Sequence, residues 1–167
     1  MTASVGSSRS VARLGAALLR QRWFVRAPIL LYRWHLGALV GDRVLLLEHL
    51  GRRSGQWRTV CLEVVDRPAP SALVVISGFG RRSQWFRNLQ ANPVCRLSVG
   101  RLRRVDARAV VLSEAQTTDV LARYADRHPA AWRRLRDVLT ETLDAPTAVP
   151  PAVRLELCDL GSKSRRI

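Results

Sequence analysis

The sequence predicts an α+β domain built on a small β-barrel, and three observations carry the prediction. The chain has 167 residues, within the usual size of one domain. Hydrophobic residues make up 47% and charged residues 25%, an ordinary globular composition that excludes a disordered chain, a collagen or a coiled coil. Strand-like runs follow one another across short turns, while the helical stretches group outside them, which suits antiparallel strands closing on themselves.

Each element has its own reason. Residues Met1 to Ser10 are small and polar and are expected to be disordered, with one domain over 11–160 and a basic tail over 161–167. From Val11 to Arg22, apolar Val11, Leu14, Leu18 and Leu19 alternate with arginines at helical spacing, and Pro28 opens a second helix to about Leu39. The aliphatic runs Arg43 to Leu50 and Trp57 to Val65 flank the turn Gly51 to Gln56 and read as a hairpin. Ala72 to Ser77 is a third strand, apolar until its serine. Ser83 to Ala91 carries Trp85, Phe86 and Leu89 on one face and ends at Asn92-Pro93, as a helix does. Val94 to Val99 and Leu102 to Leu112 pair across Gly100-Arg101, and Val105, Ala107 and Ala109 alternate with Asp106 and Arg108 as on a half-exposed strand. Ser113 with Gln116 makes a capping box for a helix to about Arg127. His128-Pro129 breaks it, a further helix spans about Ala130 to Leu143, and Leu155 to Cys158 is the last strand.

The charge narrows the ligands. Twenty-eight basic against thirteen acidic residues give +15, and Lys163 is the one lysine. Such a chain is drawn to anions: nucleic acid, acidic lipid headgroups, or a phosphorylated or polycarboxylated small molecule. The arginines at 101, 103, 104 and 108 and at 133, 134 and 136 form basic stripes, but no DNA- or RNA-binding motif accompanies them, and they are expected to be solvated faces rather than a specific nucleic-acid site. Cys61, Cys95 and Cys158 are far apart and lie in apolar runs, so they predict buried thiols, no metal site and a cytoplasmic protein. The apolar run Leu14 to Leu19 is too short for a signal peptide's core, and no stretch reaches the roughly 20 apolar residues of a spanning helix. The two N-terminal helices have the basic amphipathic character of interfacial helices, which offers a peripheral membrane contact beside ordinary core packing.

Two clusters carry chemistry. Gly51-Arg52-Arg53-Ser54-Gly55-Gln56-Trp57-Arg58 puts three guanidinium groups, a hydroxyl and two glycines in eight residues. Glycines expose successive N–H groups and arginines recognise phosphate or carboxylate bidentately, so this turn is a candidate anion site. Ser77-Gly78-Phe79-Gly80-Arg81-Arg82 joins a strand to a helix, where glycines allow close ligand approach. It is neither a P-loop nor G-x-G-x-x-G. His35, His49 and His128 lie in dissimilar contexts, no serine sits in a G-x-S-x-G elbow, and Glu48 and Glu63 on adjacent strands need not meet. No catalytic residue can be named, and a bound cofactor is expected to do the difficult step.

The order Gly51-Arg-Arg-Ser-Gly-x-x-Arg58, then Val-Val-Ile-Ser77-Gly, then Trp85-Phe-Arg-Asn-Leu89-x-Ala-Asn-Pro93 resembles the deazaflavin-dependent nitroreductase family, over about Val44 to Leu112. These small actinobacterial proteins have a split β-barrel fold and bind coenzyme F420, a deazaflavin with a phosphate and an oligoglutamate tail, as a hydride donor. The resemblance implies that Arg52, Arg53, Ser54, Gly55 and Arg58 hold the phosphate and tail. It implies that Thr59, Val60, Cys61, Leu62 and Glu63 run along the ring. Val75, Ile76, Ser77 and Gly78, and Gln84, Trp85, Phe86, Arg87 and Asn88, match its other cofactor-contacting segments.

There are three departures from the family pattern. Cys61 stands where the family often has proline, Glu63 where nitroreductase members have an aromatic residue, and the stretch around His128 to Ala131 lacks their pocket tyrosines. The expectation is therefore an F420H2-dependent oxidoreductase acting on a conjugated hydrophobic acceptor such as a quinone, an enone or a nitro compound. Its rival is a non-catalytic F420 or FMN carrier on the same fold, as a monomer or homodimer. Ser77 and backbone N–H groups near the ring are the groups expected to polarise the acceptor.

Overall fold

The computed structural model describes residues 41–142 and 149–158, and both N-terminal helices, the polar leader and the basic tail lie outside them. Six strands form one closed barrel: β1 (Val44–Leu50), β2 (Trp57–Ala69), β3 (Ala72–Ile76), β4 (Val94–Val99), β5 (Leu102–Val111) and β6 (Ala152–Leu157). Around the barrel they run β1-β2-β3-β6-β5-β4, every neighbour antiparallel. Helix α1 (Gln84–Ala91) connects β3 to β4, while α2 (Glu114–Arg127) and α3 (Pro129–Thr142) lie between β5 and β6. Among the described residues no helix is long and apolar enough to cross a membrane.

The differences from the expected elements have local causes. β2 continues past Val65 to Ala69 through two register shifts against β3, and Pro68, which has no N–H for the ladder, falls in the second of them. β6 starts at Ala152 rather than Leu155, because Ala152 already pairs with Ile76 just after the Pro150-Pro151 run. Pro129 does not merely break the helix. It is the first residue of α3, where its missing N–H costs nothing. The capping box forms as expected: Ser113 Oγ accepts from Gln116 N at 3.2 Å and Gln116 Oε1 accepts from Ser113 N at 3.0 Å.

Burial divides into two layers. Inside the barrel, Leu45, Leu47, Leu73, Val75, Leu97, Val99, Val153 and Leu155 pack on Trp85, Phe86 and Leu89 of α1, which plugs one end. Outside it, Val65, Val74, Ile76 and Ala152 pack on Val120 and Tyr124 of α2. All five residues of β3 are buried because alternate side chains serve the two layers, which is why that strand is wholly apolar in sequence.

One ionic clasp ties α2 to the barrel. Asp66, buried on β2, accepts from Arg127 Nη2 at 2.6 Å and from Arg123 Nη2 at 2.8 Å. Burial alone would raise this carboxyl, but the hydrogen bonds from Arg127 and Arg123 hold it below its usual 3.8. The stabilisation is thus present above that value and is lost as pH falls through the lowered one. Asp66→Asn should lower the unfolding free energy by about 2 kcal/mol at pH 7. Urea unfolding at pH 7 and in acid should show the gap closing as the wild-type carboxyl protonates.

Candidate active site

β2 pairs with β1 from Trp57 to Glu63, but with β3 only from Val64 onward. Along its first half the other edge of β2 therefore meets no strand among the described residues, and alternate residues direct their N–H and C=O groups outward there. The barrel wall splits at this point into a groove of about 750 Å3. Thr59, Val60, Cys61 and Leu62 form one wall. Ile76, Gly78 and Phe79 form another, and Trp85 and Asn88 of α1 with His49 of β1 close the end. Phe79 is half-exposed at the rim, flanked by two glycines.

A second cavity of about 210 Å3 adjoins the first, and Arg58, Gln84 and Asn88 line both. It is made by the hairpin turn, with Gly51, Arg52, Arg53 and Ser54 around it. The turn is tight: Gly55 N–H donates to Gly51 O at 2.7 Å and Gly51 N–H to Gln56 O at 2.9 Å. Gly55 has φ +64°, which favours glycine. A Cβ on Gly51 would come within 2.7 Å of Ser54 Oγ and 2.9 Å of Arg58 Nε, so the missing side chain lets these two groups converge. Arg58 Nη2 lies 3.4 Å from Ser54 Oγ.

Arg52 is held from α1, its Nη1 donating to Gln84 Oε1 at 3.0 Å and to Asn88 Oδ1 at 2.9 Å. Its pKa is lowered by desolvation and by the like charges of Arg87 and Arg53. No carboxylate among the described residues forms an ion pair with Arg52, Arg53 or Arg58. The cradle is a concentration of cations with hydroxyl and backbone donors, suited to an anion.

The remaining residues singled out from sequence distribute unevenly. Val75 and Phe86 are fully buried in the barrel core, and Arg87 is exposed on α1 outside both cavities. Ser77 is also fully buried. Its Oγ lies 2.7 Å from Gly80 O and 2.5 Å from Ser83 Oγ. A carbonyl can only accept, so the Ser77 proton goes to Gly80 and Ser83 donates to Ser77. Neither proton is free for a ligand, which corrects the expectation that Ser77 polarises an acceptor.

Glu63 accepts from Tyr124 Oη at 2.7 Å, with Arg43 at 3.6 Å. Burial and then the Glu63 carboxylate push the tyrosine up to about 12, so it stays a phenol donor. Cys61 is pushed up to about 11 by burial and stays a thiol. Glu48 and Glu63 do not meet, since Glu48 stands opposite Thr59.

Sequence reasoning missed His49. It is buried with Leu45 and Leu47 on the inward side of β1, and the alternation of that strand was the available signal.

Because Gly51 meets only the movable ends of two side chains, Gly51→Ala should leave the unfolding midpoint nearly unchanged while parting Ser54 from Arg58. Calorimetric titration with pyrophosphate should show about tenfold weaker binding than wild type, the scale of one lost charge-assisted contact.

Comparison with known proteins fits this geometry. Residues 32–142 match the model of the F420H(2)-dependent quinone reductase family. A Mycobacterium tuberculosis protein, Rv3178, whose name gives it provisionally as an F420H(2)-dependent quinone reductase, is 37% identical over 87 residues, covering 50% of this chain and 71% of its own. Among solved structures, the F420-H2 dependent reductase FDR-A shares the fold with a TM-score of 0.51 at 18% identity, over 70% of this chain and 96% of its own. A structure described as a domain-swapped dimer also matches at TM-score 0.51 and 18% identity, over 70% and 81% of the two chains. The barrel is accordingly the split β-barrel of this group, and the chain belongs to the F420H(2)-dependent quinone reductase family.

Proposed function

We propose that this protein reduces a quinone with F420H2, holding the deazaflavin ring in the groove and the phosphate and glutamate tail in the arginine cradle. The observation that carries the reading is the continuity of an apolar slot with a cationic pocket through Arg58, Gln84 and Asn88. A planar ring with an anionic tail requires that pairing of surfaces. The residues present fit the group: an open backbone edge along Thr59 to Leu62, apolar walls, and guanidinium groups at Arg52, Arg53 and Arg58 without carboxylate partners among the described residues. FMN, with a single phosphate, would engage fewer of these arginines.

F420H2, when bound, supplies a hydride. This chain supplies affinity, orientation and exclusion of water. Arg58 and Ser54 bind the anion nearest the groove, and Arg53, which lines the cradle but not the groove, binds further along the tail. Outward N–H and C=O groups of β2 orient the ring edge. Trp85 and Ile76 keep water from the end of the slot, and Phe79 offers an aromatic surface to a flat, apolar acceptor.

The test is a fluorescence titration of F420, with FMN in parallel, followed by a screen of quinones, enones and nitro compounds. F420 should bind saturably and less tightly as salt rises. Arg58→Ala, at the junction of the two cavities, should weaken F420 binding about 10- to 100-fold, while Arg53→Ala, in the cradle alone, should cost less than about tenfold. Binding of FMN alone would overturn the cofactor assignment. Tight F420 binding with no acceptor reduced would make the protein a carrier.

A further inference from the structure

The groove and the cradle are joined by one buried side chain. Asn88 on α1 is buried, and its Oδ1 faces two groups of Arg52 that can only donate: the backbone N–H at 3.2 Å and Nη1 at 2.9 Å. The other end of the amide, Nδ2, lies 3.3 Å from His49 Nδ1. Because Oδ1 is claimed by donors, the NH2 group must point to the imidazole, and an NH2 group only donates. His49 Nδ1 is therefore the acceptor, and the proton of the neutral ring sits on Nε2. No side chain among the described residues bonds to Nε2, and the residue lines the end wall of the groove.

We infer that Asn88 is a positioning residue that fixes His49 as a neutral imidazole with its proton on Nε2, so that His49 presents an N–H donor to a carbonyl oxygen of the acceptor. The inference rests on the proposed function for the identity of that acceptor, but not for the tautomer. It also supplies what Ser77 cannot, since both serine hydroxyls behind the groove are committed inward. His49 gives a hydrogen bond and keeps its proton, as a preorganised donor to developing negative charge on oxygen does. The lock does not depend on the guanidinium alone. If Arg52 turns its side chain toward an anion, its backbone N–H still holds Oδ1.

The groups around the ring favour the neutral form. Arg58 stands opposite His49 on β2, and the buried Cys95 thiol, pushed up to about 12 chiefly by burial, stands opposite on β4. Burial lowers the His49 pKa from 6.5, a hydrogen bond with the Leu50 backbone offsets part of this, and the Arg58 charge adds a smaller lowering contribution. A carboxylate facing the ring would reverse this, and none of these strands supplies one.

Long-range 1H–15N spectra of the 15N-labelled full chain read the tautomer directly, without cofactor or turnover. The chain has three histidines, and His49→Gln assigns the signal. Wild-type His49 should carry its proton on Nε2 and be more than half neutral at pH 6.5, where an ordinary histidine is half protonated. Asn88→Asp turns the donor into an acceptor and should move the proton to Nδ1 and raise the titration midpoint. A wild-type ring with its proton on Nδ1, or a midpoint at or above 6.5, would overturn the inference even if the Asn88 variant failed to fold.

With F420H2 and a quinone, His49→Phe should lower kcat about 100-fold with KM little changed, and His49→Gln, which keeps an N–H, should recover part of it. Equal kcat in wild type and the Phe variant would remove the role while leaving the tautomer intact. Failure of F420 to bind would instead sink the proposed function.

Discussion

The constraint on which the structure depends is that β2 divides its two edges unequally. It needs β1 along its first half and β3 along its second, and the barrel closes only through the latter. What is left between is a length of strand with backbone donors and acceptors facing no partner strand among the described residues. Such an edge is ordinarily a liability, covered or blunted to prevent chance pairing. Here it forms one wall of a groove whose other walls come from the β3–α1 connection and from α1. The groove and its junction with the arginine turn both derive from that one interruption in pairing.

Charge is arranged with the same division. Acidic residues are few, and the ion pairs found among the described residues lie away from the cradle: Asp66 with Arg123 and Arg127, Glu48 with Arg104, Glu63 with Arg43, Asp106 with Arg96, Glu156 with Arg154. These pairs relieve the crowding of positive charge around the barrel, and among the described residues no carboxylate pairs with Arg52, Arg53 or Arg58. A binding site for a polyanion is built as much by withholding carboxylates as by adding arginines, and desolvation makes the unmet charge more demanding. The half-exposed pairs contribute little individually to stability, while the clasp at buried Asp66 contributes more.

The architecture was legible where local chemistry and global position agree. Glycines and arginines between two aliphatic runs announced the hairpin and its cationic turn. Ser113 and Gln116 announced a helix start, and the apolar run of β3 recorded a strand covered on both faces. The rest failed for identifiable reasons. Alternation along β1 shows that Leu45, Leu47 and His49 share a face, but not that this face is the interior or that α1 delivers an amide to it. Ser77 sits beside a glycine-rich loop and looks like a ligand donor until the Gly80 carbonyl is seen to take its proton. Pro150-Pro151 concealed the first half of β6, whose place is set by β3 and β5 rather than by its own composition. Residues brought together by closure leave no mark in local spacing.

β6 has a consequence for the order in which the molecule can assemble. It follows both of its partners in the chain, and lies about 80 residues after β3, so its contacts are among the most distant in sequence. The β1–β2 hairpin and the β4–β5 hairpin can form from neighbours, but the wall between β3 and β5 stays open until β6 arrives. During that interval two free edges and the barrel's aliphatic interior face solvent together, a state in which the same strand from another molecule fits equally well. Synthesis and refolding at high concentration are therefore the conditions under which this barrel is most exposed to exchange of its closing strand.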